Sequence, residues 1–417
     1  MQSAMRRSRL VFGRRWAWRT ERPTGSPSRV LRRRRRAKLP RLLVVTTIAR
    51  TAEAFLLPYA RHFRAAGWEV HLLAAGSTGS QICADAYNRV FEAPWTRSPR
   101  DLLGVGGLAV RQAARVAAAG RYDIVHVHTP IASFVTRWAL RRFRQRGLKV
   151  VYTAHGFHFY RIGRVIHGRA FLVAERLASR WTDGLVVINE EDFEAALDLG
   201  VARAGQVTLM PGIGIDAAAY RAAAESASAM GVRAQIGVPL DAPLHLVVGE
   251  LNEGKRPLNV VRSLAKSRQQ DAHLAFAGVG SMEGQARALA EELSVADRVH
   301  FLGFRTDVPA LLSAATALVL VSEREGLPRC VLEAMAVGLP VIGSDVRGTR
   351  DLIKAGAGVL VPLDDVHALA GAMDALLNDH ELRARISMQA RAAILNYDLG
   401  RVIPFHEELY RQLGVNW

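Results

Sequence analysis

Cysteine is nearly absent from these 417 residues, with only Cys83 and Cys330 present. Two isolated thiols build neither a disulfide framework nor a cysteine-rich zinc site, so both are expected to be packing residues in a reducing compartment. Long apolar runs are missing too. The stretch from Ala314 to Val321 suits a buried strand, whereas a membrane-spanning helix needs about 18 apolar residues. No apolar segment follows Arg6 and Arg7, so the pair is not read as a twin-arginine export signal. A cytoplasmic location is expected. Acidic residues are scarce in one region only. Residues 1–38 hold fourteen Arg or Lys against the single Glu21, which supplies +13 of the formal charge of +18.

That segment, with Trp16, Trp18, the block Arg32 to Arg36 and many Gly, Pro and Ser, reads as a disordered basic extension. Three readings stay open for it. It is a solvated tail or an upstream start codon in an arginine-rich gene. It touches anionic lipid, at about 1 kcal/mol per basic residue near the surface. Or it binds nucleic acid, which the remaining residues do not support with any reader motif.

From Lys38 onward, short Val/Ile/Leu-rich runs alternate with amphipathic stretches, the pattern of parallel strands joined by crossover helices. Strands are expected near 41–47, 69–74, 123–128, 149–153 and 184–188, with helices near 53–66, 101–118, 131–146, 165–180 and 190–199. A second series of strands falls near 244–249, 273–277, 298–302, 317–322, 340–343 and 358–361. The fold class is therefore α/β, with two doubly wound, Rossmann-like domains over 39–208 and 209–400. The junction lies between Val207 and Asp216, where an apolar strand runs into Pro211, Gly212 and Gly214. A final helix, about 401–417, is expected to return to the first domain, with Pro404 in its first turn.

The segment 317–338 carries the strongest chemical signal. A buried strand ending at Ser322 leads through a polar loop with Glu325, Gly326 and Leu327 to a helix that carries Glu333. In open α/β sheets, ligands sit beyond the carboxyl ends of the strands, where helix N-termini offer free N–H groups to anions. Two carboxylates so placed could grip two hydroxyl-rich parts of one ligand. Equally, Glu325 is a helix-capping acid and Glu333 a solvated helix residue. His155 follows another apolar strand, so it too belongs at a strand's carboxyl end. Lys255 and Arg256 stand where a phosphate needs neutralising, or form a basic pair on a solvated helix start. Gly278 and Gly280 resemble a phosphate loop only weakly. His126 and His128 alternate on one strand, and without a third ligand at suitable spacing they read as core or cleft-wall residues. No metal is expected. The stretch 137–146 mixes five arginines with Trp138, Leu140 and Phe143. It either covers a sheet or rests on a membrane surface.

The ordered set DIVHVHTP (123–130), YTAHGFHFY (152–160), PGIGID (211–216), GELNEGK (249–255), the Glu-x7-Glu spacing of Glu325 and Glu333, and PVIGSDVRGTRDL (340–352) resembles retaining family 4 glycosyltransferases. These are GT-B enzymes, and the resemblance is to bacterial capsule and exopolysaccharide members in particular. It covers residues 40–415. It implies that Glu325 meets the hydroxyls of the transferred sugar, Glu333 the nucleotide ribose, and His155 the donor sugar or its phosphate. Lys255, with Arg256, would hold the diphosphate. Ser322, Gly326, Leu327 and Gly280 would line the donor site, and His158 stays unassigned. One departure stands out, because the Arg often found after the glycine at 249 is Glu250 here. The implied partners are a nucleotide-sugar donor, used as co-substrate without a cofactor, and a saccharide or polyprenyl-linked acceptor at the inner face of the membrane. Two rival readings remain: a nucleotide-sugar epimerase of the same architecture, which would turn over donor alone, and a non-catalytic partner in a polysaccharide assembly complex.

Overall fold

A computed structural model describes residues 39–95, 102–157, 165–354, 356–415 and 417. The basic segment 1–38 and His158 lie outside the described residues.

The first sheet contains β1 (Arg41–Ile48), β2 (Glu69–Ala75), β3 (Arg89–Glu92), β4 (Ile124–His128), β5 (Lys149–Ala154), β6 (Gly184–Val187) and β7 (Val207–Leu209). Its spatial order is β3-β2-β1-β4-β5-β6-β7, with every pair parallel. The second contains β8 (Leu244–Val248), β9 (His273–Ala277), β10 (Val299–Phe301), β11 (Ala317–Leu320), β12 (Val341–Ser344) and β13 (Gly358–Val361), in the order β10-β9-β8-β11-β12-β13. Both orders reverse direction once, at β1/β4 and at β8/β11, and such switch points open a crevice at the strands' carboxyl ends. The central strands read as unbroken apolar runs because helices bury both of their faces. One core lies on each side of each sheet.

Where the observed elements differ from the expected ones, local chemistry explains the difference. The helix expected over 53–66 is two helices, Ala49–Phe55 and Leu57–Ala65, because Pro58 can occupy a first turn but cannot continue an interior. Strand β11 stops at Leu320, two residues before Ser322. The helix expected over 131–146 ends at Leu140 and gives way to a short turn at Arg144–Arg146. The five arginines of that stretch therefore do not share one helical face. Arg137 is buried under the sheet, paired with Glu175 at 2.7 Å and stacked on the Tyr152 ring, while Arg144 is bound to Asp183. Pro404 sits inside the helix Leu399–Gln412 rather than in its first turn, since Asp398 caps that helix earlier than expected.

The chain leaves the first sheet after Met210 and comes back before Leu399. The two crossings pair with each other: the Ile215 amide donates to Tyr397 O, and the Leu399 amide donates to Ile215 O, both at 3.0 Å. Helix Leu399–Gln412 then packs Val402, Leu409 and Tyr410 against Tyr59 and Phe63 of helix Leu57–Ala65 and against Trp68 just before β2. The last described residue, Trp417, stacks edge-on against Trp68.

Candidate active site

The two sheets bring their carboxyl ends together, and the expected residues divide between two walls. On the second sheet, β8 is followed by a short turn at Glu253–Lys255 and then the helix Pro257–Lys266. The loop after β11 leads to the helix Arg329–Val337. These neighbouring strands set Lys255 and Glu325 side by side, and their ammonium and carboxylate form a hydrogen-bonded ion pair. The pair is only partly wet, with side-chain exposures of 28% for Lys255 and 11% for Glu325. Burial opposes the Lys255 charge, but attraction to Glu325, and more weakly to Glu250, outweighs it and holds the lysine above its ordinary value. Lys255 is thus a firm cation. An ammonium has three donors, and Glu325 takes one of them. Beneath the pair, burial pushes the Cys330 thiol up to about 12, so it stays protonated.

Glu333 lies one turn inside the helix and is buried rather than solvated. Its Oε1 accepts from Tyr220 Oη at 2.7 Å and Arg329 Nε at 2.8 Å, and Arg329 also donates to Tyr220 at 3.1 Å. Burial first, and then the Glu333 carboxylate, push the Tyr220 hydroxyl up to about 12, so it remains a donor.

Arg256 is tied to carboxylates of its own. It adopts φ +49 as the cap of helix Pro257–Lys266, and its guanidinium is bound by Asp364 at 2.9 Å and Glu323 at 3.4 Å. Its charge is matched by carboxylates and serves to tie two loops together. Ser322 is fully buried, with its amide and carbonyl both bonded to Ser344 Oγ, so it supports the loop from below instead of lining a surface. Gly280 is explained by packing, because a Cβ there would sit 2.2 Å from Leu251 O.

On the first sheet, His155 follows β5 and faces the second wall. Gly326 touches it directly: a Cβ on Gly326 would fall 1.8 Å from His155 O, so only glycine permits this approach. Gly326 O in turn accepts from Asn189 Nδ2 at 3.3 Å, and Leu327 packs over Gly212. Behind this contact, Arg347 from the second half donates to Asp192 and to Phe157 O, the latter at 2.6 Å. Asp192 is held ready by Asn189 Nδ2 at 2.9 Å and by the Phe157 amide at 3.1 Å.

The His155 ring belongs to a stack. His128 Nδ1 lies 3.1 Å from His155 Nε2, and the His126 and His128 rings are parallel within 19° at 4.4 Å. His126 is bonded at both nitrogens, to Tyr410 Oη and Thr153 Oγ1, each at 2.7 Å. Burial depresses these imidazoles and that of His406, which tilts against His126 at 5.6 Å from helix Leu399–Gln412: His155 and His406 to about 4, and His126 and His128 well below their ordinary range. The whole stack is neutral at physiological pH.

The strand-end placement of His155 and Glu325 was readable from the motifs. Tyr220, Asn189, Asp192 and Arg347 were not singled out. Arg347 lies within the quoted segment 340–352, but nothing in its spacing names a partner 155 residues away. A hollow of about 760 Å³ lined by Arg221, Arg383 and Arg391 shares no residue with this cluster. Among the described residues, no group of three His, Cys, Asp or Glu side chains is arranged to hold a metal ion, and no helix is long and apolar enough to cross a membrane.

Comparison with known proteins gives a consistent result. Residues 52–216 match the family model described as Glycosyltransferase Family 4, and residues 232–393 match Glycosyl transferases group 1. EpsD of Bacillus subtilis (strain 168), a protein named as a glycosyltransferase, is 34% identical over 89% of this chain and 96% of its own length. The Escherichia coli UDP-Gal:alpha-D-GlcNAc-diphosphoundecaprenol alpha-1,3-galactosyltransferase is 26% identical over 71% of this chain and 77% of its own. The crystal structure of HepE from Anabaena in complex with UDP superposes with a TM-score of 0.73 at 22% identity, covering 90% of this chain and 100% of that one. The architecture is the GT-B fold.

Proposed function

The chain belongs to the family 4 glycosyltransferases, and from that premise we propose that it transfers a hexose, with retention of configuration, from a UDP-sugar to a saccharide or lipid-linked acceptor in cell-surface polysaccharide assembly. The observation that carries the reading is the Lys255–Glu325 pair, set at the carboxyl ends of β8 and β11 and facing His155 across Gly326. The two remaining donors of Lys255 and the free amides at the start of helix Arg329–Val337 suit a departing diphosphate. Glu325 is the group for the transferred sugar's hydroxyls, and it favours the oxocarbenium-like transition state as a neighbouring carboxylate does in glycoside hydrolysis. Glu333, steadied by Tyr220 and Arg329, keeps its second oxygen for ribose.

In this reading the bond from sugar C1 to the phosphate oxygen breaks while the acceptor oxygen bonds C1 on the same face. The acceptor proton passes to the leaving phosphate. The UDP preference draws support from the donor named for the E. coli relative and the ligand of HepE, and the lipid-linked acceptor from that same relative. Contact with an anionic inner membrane surface, through the basic segment 1–38, belongs to the same proposal.

The test is a panel of nucleotide sugars incubated with the protein and membrane-extracted acceptors, read by mass shift. Transfer from a UDP-sugar that survives chelation of divalent ions is the expected result. Turnover of donor without acceptor would instead identify an epimerase. Sedimentation with anionic liposomes at low salt checks the membrane contact.

A further inference from the structure

The proposed site places His155 against the donor but leaves unexplained why two further imidazoles are stacked behind it. His128 lies between His126, at 4.4 Å, and His155, at 5.3 Å, with ring planes within 19° and 23° of theirs. Its position is over-determined. The strand ends in Thr129 at φ +66, a conformation costly for a β-branched residue, and Thr129 Oγ1 meets Thr47 Oγ1 at 2.7 Å. His126 is clamped between Tyr410 and Thr153. The edge of His128 that carries Nδ1 is therefore presented to His155 Nε2 by a rigid assembly.

Two neutral imidazoles joined nitrogen to nitrogen share one proton in the contact, so one ring donates and the other accepts. Which of them donates decides what the partly exposed His155 ring offers a ligand. A phosphate oxygen has no proton to give. If His155 is to bind one while neutral, its own proton must sit on Nδ1, and its Nε2 lone pair must then be met by a donor. His128 Nδ1 is the atom in reach.

We propose that His128 is a positioning residue, whose Nδ1–H donates to His155 Nε2 and so fixes the His155 proton on Nδ1, as a donor toward an oxygen of the bound nucleotide sugar. The inference rests on the functional reading above for its ligand, but the tautomer itself can be read without any ligand.

The experiment is a two-bond ¹⁵N–¹H correlation spectrum of full-length protein labelled with ¹⁵N-histidine, with His155 assigned by its loss in His155→Gln. The expected spectrum of the free wild-type protein shows His155 protonated at Nδ1. In His128→Leu this preference should collapse toward a tautomer mixture, and UDP-glucose affinity by calorimetry should fall about tenfold, the loss of one ordinary hydrogen bond. His128→Asn, which keeps an amide donor near the Nδ1 position, should restore both readouts. A wild-type His155 protonated at Nε2, or a His128→Leu protein with unchanged tautomer, would overturn the proposal. Should His128→Leu fail to fold, the wild-type spectrum and His128→Asn still decide it. An Nδ1 proton on His155 combined with undiminished UDP-glucose binding by His155→Gln would uphold the assigned hydrogen bond and sink the functional reading instead.

Discussion

The two walls of the cleft are built from opposite materials. The first presents stacked, uncharged imidazoles from β4 and β5, tied together by hydroxyl groups. The second presents charges already matched to one another: Lys255 with Glu325, Arg329 with Glu333, Arg256 with Asp364. Net neutrality is reached in both, by burial on one side and by pairing on the other. The difference matters when an anion arrives. Paired charges can turn toward a diphosphate without any new protonation, whereas a neutral imidazole answers only through the atom on which its proton rests. The walls should therefore respond to different perturbations, and each can be disturbed without the other.

The largest effect should come from the place where the walls are joined. Arg347 and Asp192 are almost wholly buried, and removing one member leaves the other as an uncompensated charge. Asp192→Ala should lower stability by about 3–5 kcal/mol in urea unfolding, and a loss below about 1 kcal/mol would mean the pair does not hold the halves together. Next comes the charged wall. Glu325→Ala and Lys255→Ala should each reduce transfer by about 10²–10³-fold, the usual consequence of removing one preorganised electrostatic contact. Wild-type turnover by both would show that the site has been misplaced.

The imidazole wall should betray itself by pH. Its folded-state values lie below the ordinary 6.5, to about 4 for His155 and His406. Between those limits the unfolded chain binds more protons than the native one, so stability must fall as the pH drops from about 6.5 toward 4. Above 6.5 these groups contribute no slope. Each buried histidine adds up to about 1.4 kcal/mol per pH unit within that window, and urea midpoints at pH 7, 6 and 5 would reveal it. A flat profile would erase the contrast between the walls. The smallest effect is reserved for Tyr220→Phe, which removes one of the two donors to Glu333. A loss of about tenfold or less in donor affinity, by calorimetry, is expected.

How far the sequence reveals this arrangement depends on the reach of each signal. Central strands such as Leu244–Val248 announce themselves as apolar runs, while Arg89–Glu92 went unread because an edge strand of four half-exposed residues has no such run. Pro58 was visible in the sequence and should have divided its helix. Local order alone placed Glu325 and His155 at strand ends, Glu333 on the helix that follows, and Lys255 at a helix start. It did not place their partners, because Tyr220 meets Glu333 across 113 residues and Asp192 meets Arg347 across 155. The alternation of His126 and His128 gave their shared face. That the same face meets His155 follows from the parallel register of β4 with β5, where His128 lies opposite Thr153, and spacing carries no trace of it.

The return of helix Leu399–Gln412 to the first sheet imposes a schedule on biosynthesis. Some 190 residues separate β7 from that helix, and at about 5–20 residues per second a ribosome needs roughly 10–40 s to make them. Throughout that interval Phe63, Trp68 and the Tyr59 ring have no Tyr410 or Leu409 to cover them. His126 likewise waits for the Tyr410 hydroxyl. The nascent first half is thus an unfinished body with an apolar face open to solvent, and slow decoding of the second half would lengthen its exposure to aggregation.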